Sequence, residues 1–185
     1  MKIKDYKTIV DLGAGCGIIS ILLSSRFPKS KIFAIECEKE NFQKLNINTK
    51  RTNNIFSLEC LIENAHRFIT PNTVDLIVCN PPYFDEKKSR PSPYMQRKLA
   101  RTSTLEQMEN IIKESSILLK DRSYFYLCIS PQRLVDTLIL LRKYRFGVKR
   151  LKSIYGSKQK PAFTVLIEST YNTQDNITME TLYTN

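Results

Sequence analysis

A short apolar run, Thr8-Ile9-Val10-Asp11-Leu12, passes straight into Gly13-Ala14-Gly15-Cys16-Gly17 and then into a second apolar segment from Ile18. Three glycines in five positions let the backbone turn sharply and let a ligand approach it closely. A strand, a glycine turn and a helix in that order open a βαβ unit, which demands a parallel sheet.

The rest of the chain continues that alternation. Ile18 to Phe27 reads as a helix closed by Pro28, and Lys31 to Glu36 (KIFAIE) as a second strand. Glu38 to Thr52 is a polar helix with Phe42 and Leu45 inward, and Ile55 to Leu61 a third strand. Val74 to Cys79 (VDLIVC) is a continuous apolar strand stopped by Pro81-Pro82. Residues 85–102 lack apolar periodicity and read as a long basic loop, a feature usually functional or disordered in a compact domain. Ser103-x-x-Glu106 is a capping box. Behind it, Leu105, Met108, Ile111, Ile112, Ser115, Leu118 and Leu119 share one helical face. Tyr124 to Ile129 is a strand; Ser130-Pro131 offers an N-cap before a helix that runs to about Arg145. Val148 to Tyr155 and Phe163 to Glu168 complete the strands, and the Thr- and Asn-rich tail 169–185 is expected to fray. The whole is one α/β domain over residues 1–168, with a parallel sheet covered on both faces.

Composition narrows the function. The 185 residues are 42% hydrophobic and 25% charged, which excludes a mainly disordered or collagen-like chain. Lys and Arg number 29 against 18 Asp and Glu, so the net charge is +11 and favours a polyanionic partner. The five cysteines (Cys16, Cys37, Cys60, Cys79, Cys128) contain no Cys-x-x-Cys pair, so buried reduced thiols in the cytoplasm are expected, with no disulfide framework and no metal. His66, the sole histidine, has no Gly-x-Ser-x-Gly nucleophile motif to serve and reads as a satisfied loop residue. The longest uncharged run near the N-terminus, Leu12 to Ser25, is too short to span a bilayer.

The loop spacing is Gly-x-Gly-x-Gly, not the Gly-x-Gly-x-x-Gly of a dinucleotide fingerprint. Glu36 ends the second strand, where a carboxylate can accept hydrogen bonds from ribose hydroxyls. Asp11 ahead of the glycines would repel a pyrophosphate and suits a cation. S-adenosylmethionine, with its sulfonium and ammonium, is therefore favoured, and NAD is the other ligand the loop admits.

Asn80-Pro81-Pro82-Tyr83 follows the fourth strand. The prolines fix the backbone and remove two N–H donors. The Asn80 side-chain oxygen and the Pro81 carbonyl can then both accept from one planar NH2 group, while Tyr83 stacks on a flat substrate. That arrangement draws electron density onto the nitrogen and works by positioning and preorganised dipoles. The plainer reading is a strand-ending turn.

DLGAGCG, AIE and VDLIVCNPPYF resemble the motifs of class I S-adenosylmethionine-dependent methyltransferases that act on amino groups, and most of all the bacterial tRNA1(Val) adenine-N6 methyltransferase-like family. The likeness covers about residues 7–168. It includes Ala100-Arg101-Thr102-Ser103-Thr104-Leu105 and the stretch from Ile154-Tyr155 through Lys160-Pro161 to Ile167-Glu168. It implies a Rossmann-like, mostly parallel sheet of seven strands, the last antiparallel. It also implies S-adenosylmethionine bound by Asp11, Gly13, Gly15 and Glu36, and Asn80, Pro81, Pro82 and Tyr83 around the target base. The position that usually carries Asp to the cofactor adenine is Asn64, with Glu63 beside it as the alternative. The family usually has some tens of residues before the first strand, so this chain is short at that end.

From Arg142 to Lys160 eight basic residues occur without an acidic one, interleaved with Tyr144, Phe146 and Tyr155. Lys149, Arg150, Lys152, Lys158 and Lys160, with Lys98 and Arg101 in the loop, are expected to contact RNA, most of all tRNA, through phosphates. The bland alternative is a solvated charged face. Protein glutamine or DNA amino-methylation, and an RNA-binding remnant without catalysis, remain rival functions.

Overall fold

The computed structural model describes residues 5–81 and 105–184. The capping residue Ser103, Pro82 and Tyr83 of the Asn-Pro-Pro-Tyr turn and the basic loop fall outside them. Eight strands form one sheet: β1 (Thr8–Leu12), β2 (Lys31–Glu36), β3 (Ile55–Glu59), β4 (Val74–Cys79), β5 (Leu119–Ile129), β6 (Phe146–Tyr155), β7 (Thr164–Tyr171) and β8 (Thr178–Tyr183). The helices are α1 (Ile18–Arg26), α2 (Lys39–Thr49), α3 (Leu105–Leu118) and α4 (Leu134–Lys143), and a 3-10 helix spans Ile62–Arg67.

The strand order is β3-β2-β1-β4-β5-β7-β6-β8. β1 to β5 are mutually parallel, and β7 runs antiparallel to both β5 and β6. The first seven strands match the expected arrangement. The tail departs from it, because residues 169–171 complete β7 and Thr178–Tyr183 add an eighth strand parallel to β6. Glu180 explains the ordering of so polar a segment, since its carboxylate bonds Arg150 and Lys152 of β6. β5 also begins five residues earlier than the apolar run suggests. Lys120 is held there by a 2.6 Å ion pair to Asp75 of β4.

The larger core layer lies between the sheet and the 3-10 helix, α3 and α4. Leu12, Ile35, Cys79, Ile112, Leu118, Phe125, Leu141 and Ile167 meet in it. On the other face Ile9, Ile32 and Leu76 pack with Tyr6, Leu23, Phe27, Val78, Tyr124 and Tyr126. Burying such side chains contributes roughly 1.5–3 kcal/mol each relative to exposure. Buried Glu114 of α3 accepts from the backbone N–H of His66 at 2.6 Å and meets its Nδ1 at 3.0 Å, so the histidine is satisfied, although in a 3-10 helix. All five cysteines are free thiols, but only Cys79 is buried; Cys37 is exposed. Ser130 precedes a proline-led turn without lending its side chain as a cap. No described helix is long and apolar enough to cross a membrane.

Candidate active site

Register brings the motifs together. Leu12 of β1 pairs with Ile35 of β2 and Cys79 of β4. The next residues, Gly13 and Asn80, therefore leave the sheet side by side at its carboxyl end, where ligands of such sheets bind. Gly13 and Ala14 both donate their N–H groups to the Ile35 carbonyl, at 3.0 and 2.8 Å. The loop then turns through positive φ at Gly13, Gly15 and Gly17. A Cβ at Gly15 would meet nothing within 4 Å, so this glycine leaves a surface that a ligand can approach. Gly17 serves packing: a Cβ there would come within 2.7 Å of Leu45 Cδ1 on α2.

Glu36 is almost fully buried and first of all braces its own loop. Its Oε2 accepts from Gly15 N–H and its Oε1 from Glu38 N–H, each at 2.8 Å. A carboxylate has about four lone-pair sites, so each oxygen keeps one for a hydroxyl donor. The 3-10 helix borders the same loop, with Ile62 Cδ1 3.9 Å from the Cβ direction of Gly13. It carries Asn64, half-buried, and Glu63, exposed. Burial pushes the Cys60 thiol up to about 11, and Cys37, Glu114 and Glu63 add to the effect.

Asp11 differs from expectation. Its carboxylate is inaccessible and lies beneath the loop, where Oδ2 accepts from Ser20 Oγ of α1 at 2.6 Å. The other oxygen, Oδ1, has no partner among the described residues. Burial raises its pKa to about 6 against the opposing pull of the Ser20 hydrogen bond. Its charge acts from below the glycines, not by direct contact at the loop surface.

Asn80 is exposed just past β4 and Pro81 is buried behind it. Pro82 and Tyr83 lie outside the described residues, as do Lys98 and Arg101.

The basic residues of β6 do not form one face. Lys149 donates to the Gln174 carbonyl at 2.5 Å, near the opposite end of the sheet from Asn80. Arg150 bonds Glu168 of β7 and reaches Glu180 at 3.2 Å, and Lys152 pairs with Glu180 at 2.8 Å. These three are already engaged by acceptors from chain segments distant in sequence. Lys158 and Lys160, in the loop after β6, are exposed at the Asn80 end and have no ion pair among the described residues. Sequence reading missed Ile62 beside the loop and Tyr183 at the end of β8. Thr178-Met179-Glu180-Thr181-Leu182-Tyr183 carries a strand-like pattern, hidden behind the polar stretch Asn172–Asn176.

This sheet order, with a glycine turn after β1 and an acidic end to β2, defines a class I methyltransferase fold. The Methyltransferase small domain family model matches residues 1–124, and the chain belongs to that family. A tRNA1(Val) (adenine(37)-N6)-methyltransferase of Flavobacterium psychrophilum is 28% identical over 176 residues, 92% of this chain and 74% of that protein. One so named from Porphyromonas gingivalis is 29% identical over 86% of this chain and 64% of its own length, so the chain spans less than two thirds of that relative. Among solved structures, a predicted O-methyltransferase from Agrobacterium tumefaciens superposes with TM-score 0.76 at 17% identity, covering 99% of this chain and 83% of its own. A fibrillarin pre-rRNA processing protein of Methanococcus jannaschii gives 0.67 at 16% identity, covering 94% and 70%. Those two likenesses concern the fold.

The protein is thus an S-adenosylmethionine-dependent methyltransferase, which sets aside NAD. The site's own features fit the cofactor. Glu36 retains acceptor sites for ribose hydroxyls, Gly15 leaves open space, and the Asp11 carboxylate supplies negative charge under the loop. Bound there, S-adenosylmethionine supplies an electrophilic methyl group.

Proposed function

We propose that the protein methylates the exocyclic N6 of an adenine in RNA, with tRNA as the substrate class. The observation that carries this reading is the pairing of Leu12 with Cys79, which sets Asn80 next to the glycine loop. The Asn80 amide oxygen and the Pro81 carbonyl accept the two hydrogens of a planar NH2 group and hold its lone pair toward the loop. Such fixed acceptors need no reorganisation during the reaction. Gly13, Gly15 and Glu36 hold the cofactor by direct contact, and Asn64 or Glu63 reads its adenine. Asp11 balances its positive charge from beneath. The net charge of +11 and the exposed Lys158 and Lys160 support a polyanionic substrate. The names of the relatives support tRNA over DNA or protein. A tRNA substrate sets the reaction in the cytoplasm.

The test is transfer of labelled methyl groups from S-adenosylmethionine into bulk bacterial tRNA and, separately, into ribosomal proteins, followed by nucleoside mass spectrometry. N6-methyladenosine in tRNA is expected. Label confined to protein would overturn the substrate. Binding of tRNA without any transfer would support the remnant reading instead.

A further inference from the structure

We infer that Tyr155 and Tyr183, with Lys158 and Lys160 beside them, form a stacking platform for unpaired nucleotides that flank the methylated base. This rests on RNA being the substrate, as proposed above.

Direction comes first. β7 is antiparallel to β5 and to β6, so β6 runs the same way as β5 and β4, and β8 is parallel to β6. The last residues of β6 and β8 therefore emerge at the same end of the sheet as Asn80. Those residues are Tyr155 and Tyr183, which are register partners. Their ring centroids are 5.4 Å apart with planes tilted by 35°. Tyr183 is 45% exposed. The pair is pinned: the Tyr155 carbonyl accepts from Thr184 N–H at 2.9 Å and from Thr184 Oγ1 at 3.2 Å.

Charge comes second. Arg142, Lys143, Arg150 and Lys152 all have acidic partners. Lys158 and Lys160, in the loop that leaves Tyr155, have none among the described residues and are exposed. Phe163, 55% exposed, closes that loop where its N–H bonds the Ile154 carbonyl. Exposed aromatic rings beside unengaged cations are the recurring means of holding single-stranded nucleic acid, because every base has a π-face and every nucleotide a phosphate. An acidic peptide would satisfy the lysines but has no use for two adjoining ring faces.

Distance fixes which nucleotides are held. Strands are about 4.8 Å apart, so three spacings put Tyr155 at least about 14 Å from Asn80 and four put Tyr183 at least about 19 Å away. The target base cannot touch both places at once. Its neighbours along an extended strand can.

The full-length protein is assayed for methyl transfer to bulk bacterial tRNA as Tyr155→Ala, Tyr183→Ala and Tyr183→Phe, with thermal melting and S-adenosylmethionine titration on each. A lost base-stacking contact corresponds to roughly 5- to 160-fold. The alanine variants should raise KM for tRNA by that factor while kcat and cofactor affinity hold. Tyr183→Phe should keep the parent KM, since stacking uses the ring face. Should Tyr155→Ala melt early, Tyr183→Ala decides, because Tyr183 lies on an exposed edge strand. A parent-like KM in Tyr183→Ala would overturn the platform while leaving RNA methylation intact. Equal damage from Tyr183→Phe would also overturn it, by pointing to the hydroxyl. Transfer by the parent into protein alone would remove the RNA reading and the platform together.

Discussion

The two halves of the sheet carry their information differently. In β3-β2-β1-β4 the residues that matter stand where an apolar run stops, and backbone N–H groups fix them to the end of the adjoining strand. Gly15 gives its N–H to Glu36, and Gly13 gives its own to Ile35. In β5-β7-β6-β8 the residues that matter are charges whose meaning depends on what lies across a strand. Arg150 is a loose cation in sequence and the centre of a Glu168–Glu180 network in the fold. A ligand-binding turn is thus written locally, whereas a binding surface is defined by what its neighbours leave unneutralised.

The first way to break this comparison is at Asn80. Asn80→Ala should raise the barrier to methyl transfer by about 2.7–4 kcal/mol, a loss on the order of 10²- to 10³-fold in turnover. S-adenosylmethionine affinity by titration calorimetry should stay at the parent value. Near-normal turnover would reduce the turn to a strand terminator.

Asp11 tests whether the glycine half hides long-range electrostatics of its own. Its folded pKa, near 6, is raised above the unfolded value by burial. The stability it contributes is therefore complete below about pH 4 and lost as pH rises through 6. The shift corresponds to a change on the order of 3 kcal/mol. In urea titrations without cofactor, parent minus Asp11→Asn should fall by that order between pH 4 and pH 7. A difference that does not vary with pH would mean the carboxylate is better solvated than its burial implies.

Gly17→Ala probes backbone geometry directly. Its φ of +91° and the approach of Leu45 make any side chain strained. The expected cost is roughly 1–3 kcal/mol, or about 2–12 °C in melting temperature for a chain of this length. An unchanged melt would show that α1 and α2 can part without strain.

The smallest effect sharpens the contrast within β6 and its loop. Lys158→Gln and Lys160→Gln should each lower the slope of log tRNA affinity against log salt by about 0.7–0.9. Lys152→Gln should leave that slope alone, because Glu180 already holds the ammonium. Equal slopes for all three variants would restore the single basic face read from sequence.

How much was legible follows the same division. β1, β2 and β4 were readable to the residue because apolar runs end at glycine, at an acidic end residue or at proline, each a local stop. The candidate site residues Gly13, Gly15, Glu36 and Asn80 stand at or beside those same stops. Asp11 was recognisable as important but not as buried, since its partner Ser20 lies past the loop, in the first turn of α1. β8 was illegible because Glu180 joins the sheet through Arg150 and Lys152, some thirty residues earlier in the chain.

The placement of β7 between β5 and β6 also sets an order of assembly during synthesis. β1 lies inside the sheet, so β2 and β3 extend it on one side and β4 and β5 on the other as each emerges. β6 breaks that sequence. When it leaves the ribosome its strand partners among the described residues, β7 and β8, have not yet emerged. It must wait until β7 docks antiparallel on β5 and offers its far edge. A nascent chain with β6 outside the tunnel and β7 still within it would thus hold a folded β1–β5 sheet beside an unpaired, arginine- and lysine-bearing strand. Protease protection of β6 should begin only once β7 has cleared the exit tunnel.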